Sequence, residues 1–236
     1  MSRASMTEAA KTLPRAPLFG IASCPVGATG LLEFEIGWDE FERDVQWAES
    51  LLRASGLRPG DLVLITISQW EGPWTTPVVT ALRRIGVTYL TAEVWNFDAR
   101  RTSMFLQRLP VKAVFGLAGD TAAALENEDP PLAELLRDVQ IVWARPDAVG
   151  HLSGIAPEVL PFVHLGPALA LGVPGQPGAS VNAAEWAVDT EDGELVVSNT
   201  LGRATLFDRT PTGVRGSVLS VSDAAVVIDL DQYAAQ

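Results

Sequence analysis

Residues 62–68 read Leu-Val-Leu-Ile-Thr-Ile-Ser and are entered through the turn Pro59-Gly60-Asp61. This run is apolar at consecutive rather than alternate positions and rich in β-branched side chains. A half-exposed strand would alternate, so this one has to be covered on both faces, as a central strand of a parallel sheet is. The flanking segments supply the covers. Upstream, Phe41, Val45, Ala48, Leu51 and Leu52 fall at helical spacing, with Asp39 and Glu42 placed as a capping box and Gly56 as a stop. Downstream, the pattern predicts a helix over 76–84 that stops at Gly86 and a strand over 87–92. A helix capped by Asp98 follows, carrying Phe105, Leu106 and Leu109 and ending at Pro110. Further strands at 111–117 and 139–144 flank a short helix at 132–137. Strand and helix in alternation predict an α/β fold with a doubly wound, mainly parallel sheet.

After residue 145 glycine and proline become frequent, from Pro146 to Gly178. Segments 185–188 and 194–198 flank Thr190-Glu191-Asp192-Gly193, a hairpin signal, and a second pair is expected at 216–221 and 224–230 around Ser222-Asp223. The expected organisation is therefore a flexible leader (1–15), an α/β subdomain (16–145), and a Gly/Pro-rich connection leading to a smaller β-rich lobe (146–236).

Charge narrows the partners. Twenty-nine acidic against 17 basic residues give a formal net charge of -12, a surface that repels phosphate backbones and anionic lipid heads. Nucleic acid and membrane surfaces are therefore excluded as expected partners. The single cysteine, Cys24, allows no disulfide framework or thiolate metal cluster. With no secretory apolar core in the first residues and no apolar run near the ~20 residues that span a bilayer, the expected location is cytoplasmic. The chain carries no zinc-ligand spacing, nucleophile elbow or dinucleotide fingerprint, and we expect no bound metal.

Three stretches in order resemble the phenylacetate-CoA ligase-like branch of the adenylate-forming enzymes. The first is Cys24-Pro25-Val26-Gly27-Ala28-Thr29-Gly30-Leu31-Leu32-Glu33-Phe34, in the place of that branch's phosphate loop, ahead of Gly56-Leu57-Arg58-Pro59-Gly60-Asp61. The second is Leu165-Gly166-Pro167-Ala168-Leu169-Ala170. The third is Asp192-Gly193-Glu194-Leu195-Val196-Val197, followed by Arg203 and residues 209–213. The resemblance covers most of residues 17–216. It implies the N-terminal domain fold of those enzymes, with an acyl pocket beyond the strand ends.

The departures from the family are as informative. Phosphate loops work through exposed backbone N–H groups, hydroxyls and a basic residue. Gly27, Thr29 and Gly30 remain, but Pro25 lacks a donor, Val26 and Ala28 replace hydroxyl residues, and no lysine follows. By the resemblance, His164 stands where the family has its metal-supporting glutamate, and Val214 where an aspartate holds the ribose. By the same resemblance, the family's middle region is compressed between Asp138 and Gly166, and its small C-terminal domain is expected to have no counterpart after residue 216. We therefore expect no use of ATP, magnesium or CoA.

His164 is the expected acid/base residue, since imidazole titrates nearest neutrality; Asp208 and Arg209, near the ribose signature by the resemblance, complete the candidate catalytic set. Ser68, Trp70, Trp74 and Trp95 follow predicted strand ends, where open α/β sheets bind ligands, and are the candidate substrate-binding residues. Glu71 lies among them. The expected function is a repurposed enzyme of specialised metabolism that binds an apolar or aromatic acyl-type small molecule. It would cyclise, isomerise, eliminate or hydrolyse that molecule without ATP. Two alternatives stay open: a non-catalytic scaffold, as a homodimer or partner subunit, and an ATP-dependent ligase completed by another chain.

Overall fold

A computed structural model describes residues 17–26, 30–155 and 157–233. It opens with an antiparallel hairpin, β1 (Gly20–Val26) and β2 (Gly30–Ile36), in register from Gly20↔Ile36 to Val26↔Gly30. Helix α1 (Trp38–Ala54) buries the expected face of Phe41, Val45, Ala48, Leu51 and Leu52. Its N-cap, however, is Gly37, with no side-chain cap. The expected Asp39–Glu42 capping box does not form, and the Glu42 carboxylate instead accepts two hydrogen bonds from Arg84, at 2.7 and 2.8 Å.

The expected central strand is β3 (Leu62–Thr66), followed by a 3₁₀ turn (Gln69–Glu71) and α2 (Gly72–Ile85). Then come β4 (Thr88–Ala92), α3 (Ala99–Arg108), β5 (Ala113–Leu117), two short helices α4 (Gly119–Leu125) and α5 (Leu132–Leu135), and β6 (Ile141–Ala144). A further short helix, α6 (Val149–Leu152), leads into β7 (Glu158–Leu165). Strands β8 (Ala168–Leu171), β9 (Ala179–Asn182), β10 (Trp186–Glu191), β11 (Glu194–Asn199), β12 (Thr210–Val221) and β13 (Ala225–Leu230) complete the order.

All but the first hairpin join one 11-stranded sheet, β10-β11-β12-β13-β9-β8-β7-β6-β5-β3-β4. From β4 to β7 every pairing is parallel; from β7 to β10 every pairing is antiparallel. The β-rich portion is thus joined edge to edge through β7. Pro161 marks the change, since Ala144↔Pro161 is the last parallel pair and Phe162↔Leu171 the first antiparallel one. The Asp192-Gly193 turn has φ of 49° and 80°, left-handed at both positions as a two-residue hairpin loop requires.

The central strands divide their residues between two cores, as double winding demands. Val63, Ile65, Ala113, Phe115, Ile141 and Trp143 pack with α1, α2 and the β1–β2 hairpin. Leu64, Val114, Val142 and Ala144 pack with α4 and its neighbours on the other face. No helix among the described residues is long and apolar enough to cross a membrane.

At the opposite end of β3 from the site described below, the Asp61 carboxylate accepts hydrogen bonds from Lys112 Nζ at 2.7 Å and from the Arg58 N–H at 2.8 Å. Partial burial works against it, but these two donors hold the carboxyl below the usual aspartate range. Its stabilisation is therefore present above the unfolded pKa and lost as pH falls through the lower folded value. Asp61→Asn is expected to cost about 1 kcal/mol at pH 7 in urea unfolding, and progressively less as the pH falls below the ordinary aspartate range. An equal loss at every pH would show that the charge is irrelevant.

Candidate functional site

The strand order places a switch point between β3 and β5. The chain leaves β3 outward to β4, then returns to β5 on the other side, so the two crossovers diverge, and it is beyond the carboxyl ends at such a point that open α/β sheets bind ligands. Three segments meet there: residues 66–71 after β3, Gly116 in β5 and Arg145 just after β6.

Arg145 binds this edge together. Its Nε donates to the Gly116 carbonyl at 3.0 Å, its Nη1 donates to Glu71 Oε1, and its Nη2 donates to Glu71 Oε2 at 2.9 Å. The guanidinium also lies over the Phe162 ring, 4.9 Å from its centroid. Glu71 is fully buried and takes a further hydrogen bond from the Ser68 N–H at 2.7 Å. A buried carboxylate and guanidinium in this bidentate arrangement neutralise one another.

His164, on β7, packs against the same pair. Its ring is stacked on Trp74, 4.8 Å between centroids, and meets Trp70 and Phe162 edge-on at 5.9 and 5.1 Å. Nε2 is buried without a hydrogen-bond partner among the described residues, 3.8 Å from Glu71 Oε1. Burial and then the nearby Arg145 charge push the imidazole down to about 3, so it is neutral at physiological pH. What it offers a bound molecule at pH 7 is an unused hydrogen bond inside an aromatic enclosure. Trp74 is anchored through Nε1, which donates to the Gly166 carbonyl at 3.1 Å, whereas Trp70 is 59% exposed and forms the outer wall.

Of the residues expected from sequence, His164, Trp70 and Trp74 are brought into contact, with Ser68 at the same turn. Trp95 stands on the next loop along the strand ends, after β4, with its side chain partly exposed, as is that of Phe97. Arg209 lies on the sheet edge formed by β10, where it pairs with Asp189 at 3.0 Å and with Glu191; Asp208 is exposed beside it. Gly30 opens β2, whereas Gly27 and Thr29 fall outside the described residues. Arg145 is not among the residues expected from sequence. The signal that could have found it is positional, a lone basic residue at the carboxyl end of a buried strand.

A second polar cluster lies between α1 and the loop around residue 203. Arg203, 5% exposed, reaches Glu40 Oε2 at 3.1 Å, Asp44 Oδ2 at 3.1 Å and Glu185 Oε2 at 2.6 Å, and lies 4.7 Å over the Trp186 ring. Arg43 also donates to the fully buried Glu185. Asp44, Arg203 and Asn182 line part of a cavity of about 30 Å³ walled by Phe34, Trp47, Trp74 and Trp186. That is room for a water or two and too little for an aromatic ring.

No family model and no curated protein matches this sequence. Solved structures do match. One is a 2-hydroxyisobutyryl-CoA ligase in the postadenylation state in complex with R3-HIB-AMP, at TM-score 0.67 and 13% identity, over 97% of this chain and 55% of the ligase. Another is the N-terminal subdomain of Klebsiella oxytoca NpsA in complex with anthranilyl-AMSN, at 0.56 and 14%, over 88% and 62%. A third is CmiS6, at 0.51 and 16%, over 84% and 56%. The chain thus has the fold of the N-terminal domain of adenylate-forming enzymes and spans somewhat over half the length of these proteins.

Proposed function

We propose that this chain, built on the adenylate-forming N-terminal fold, binds an apolar or aromatic acyl-type small molecule at the β3/β5 switch point and acts on it without ATP. The observation that carries this reading is the buried, unpartnered His164 Nε2 enclosed by Trp70, Trp74 and Phe162. A buried polar atom without a partner costs about 1–3 kcal/mol, a cost that a ligand's hydrogen bond would relieve. Aromatic walls with one placed polar group are the usual make-up of a small-molecule site.

The charge arrangement supports an ATP-independent reading. A triphosphate needs cations free to meet it, and Arg145, the cation beside His164, already gives its guanidinium to Glu71 and Gly116. A carboxylate binds magnesium as a hard oxygen ligand, and a neutral imidazole is a poor substitute.

The test is calorimetry with Mg-ATP, together with titration of S-benzoyl-N-acetylcysteamine followed by tryptophan fluorescence. The aromatic probe is expected to bind alone, with less than about a two-fold change in affinity at saturating Mg-ATP, since uncoupled sites leave one another's affinity unaltered. Submillimolar Mg-ATP binding, or probe binding only when nucleotide is present, would overturn the proposal.

A further inference from the structure

Resting on that reading, the polar groups at the switch point also define the kind of acyl compound the site takes. We infer that the site recognises an uncharged aromatic acyl derivative (an ester, thioester or amide) and discriminates against the free carboxylate.

The argument is one of charge and hydrogen bonding. An aromatic acid at pH 7 brings a full negative charge, and sequestering it from water without a cation is strongly unfavourable. Among the described residues the guanidinium beside His164 is that of Arg145, whose charge is already neutralised by Glu71 through Nη1 and Nη2 while Nε donates to the Gly116 carbonyl. Glu71 cannot release it without becoming a bare carboxylate in a site where it is fully buried. An incoming carboxylate would also meet Glu71 itself, whose Oε1 lies 3.8 Å from His164 Nε2.

The same proximity favours the imidazole tautomer that carries its hydrogen on Nε2, toward negative charge. That N–H is a neutral donor, and the partner it suits is the carbonyl oxygen of an acyl group. The aromatic part of the ligand would lie against Trp70, which meets Trp74 edge-on at 6.3 Å and leaves much of its surface to solvent. An acyl group already joined to sulfur, nitrogen or oxygen needs no adenylation, so the reaction that supplies this substrate is a prior acyl activation or condensation carried out elsewhere.

The experiment compares benzoate, benzamide and S-benzoyl-N-acetylcysteamine on the unmodified chain at pH 7.5, read by tryptophan fluorescence and checked by calorimetry. The two uncharged probes are expected to bind at least ten-fold more tightly than benzoate. His164→Phe, which keeps the stacked ring and removes the donor, is expected to weaken the uncharged probes by three- to ten-fold. His164→Gln, which retains a donor, is expected to restore part of that loss, and circular dichroism of both variants confirms folding. Tighter binding of benzoate would overturn this inference while leaving the proposed binding function standing. Binding of no probe at all would overturn both.

Discussion

Replacing Arg203 with alanine is expected to destabilise the chain by about 3–5 kcal/mol, the cost of breaking a buried charge network by removing one partner. Tm should fall on the order of 10 °C. The size of the effect follows from the count of charges. Glu40, Asp44 and Glu185 face two guanidiniums, those of Arg43 and Arg203. Removing Arg203 leaves three carboxylates to a single cation, and Glu40 and Glu185 have almost no access to water. The guanidinium also joins α1 to the 203 loop, because the Ala204 N–H donates to the Glu40 carboxylate next to it. Lysine offers one ammonium instead of a planar fork and should recover little of the loss.

The loss should depend on pH. Burial already raises the Asp44 carboxyl above its ordinary value despite the opposing pull of Arg203. With Arg203 gone that opposing pull disappears, and the folded pKa rises further. A raised folded pKa means stability that is present at low pH and lost as pH climbs through it. The gap between parent and variant should therefore narrow on acidification from pH 7 to pH 5 in urea unfolding. A pH-independent gap, or a loss below about 1 kcal/mol, would show that the cluster is solvated like an ordinary surface pair.

Sequence patterning carries the layered half of this fold well because its signals are local. The consecutive apolar residues of β3 and the helical face of α1 can each be read within one window, and each is found where expected. Strands β7 to β9 are less legible for a definite reason. Pro157, Pro161 and Pro167 sit in or beside β7, and proline removes ladder donors, so the segment reads as a connection. In the fold Pro161 occupies the one place where β7 changes from a parallel to an antiparallel neighbour.

The candidate site divides in the same way. His164, Trp70 and Trp74 announce themselves by residue type. The groups that set their chemistry do not, because Glu71 and Arg145 are 74 residues apart and are joined only when β3 and β6 enter one sheet on either side of β5. Likewise, Glu40 and Asp44 look like the solvated face of an amphipathic helix until the 203 loop folds over them.

Glu71→Ala is expected to cost about 3–5 kcal/mol, since it strands the Arg145 guanidinium in a site 15% exposed. It also removes the acceptor of the Ser68 N–H. Glu71→Gln keeps a carbonyl oxygen for Ser68 and should cost less. Arg145→Met in the Glu71→Ala background should regain part of the loss, because it removes the uncompensated charge. A double-mutant cycle with no coupling would contradict the pairing.

Arg145 also acts on His164, after burial. Its imidazole is pushed down to about 3 by burial and by Arg145. A depressed folded pKa gives stability that is complete above the unfolded histidine value and lost as pH falls toward the folded one. His164→Phe should therefore flatten the acid limb of the stability curve between about pH 6.5 and 3. The chain has two histidines, so both ring signals can be followed by NMR. His164 is expected to remain neutral to near pH 3, and the Glu71→Ala/Arg145→Met pair should move its titration upward by removing the cation. A His164 signal titrating near pH 6.5 in the parent chain would mean that the ring is wet and its Nε2 already hydrogen-bonded to water. The site would then lose the one group on which its recognition of an acyl carbonyl rests.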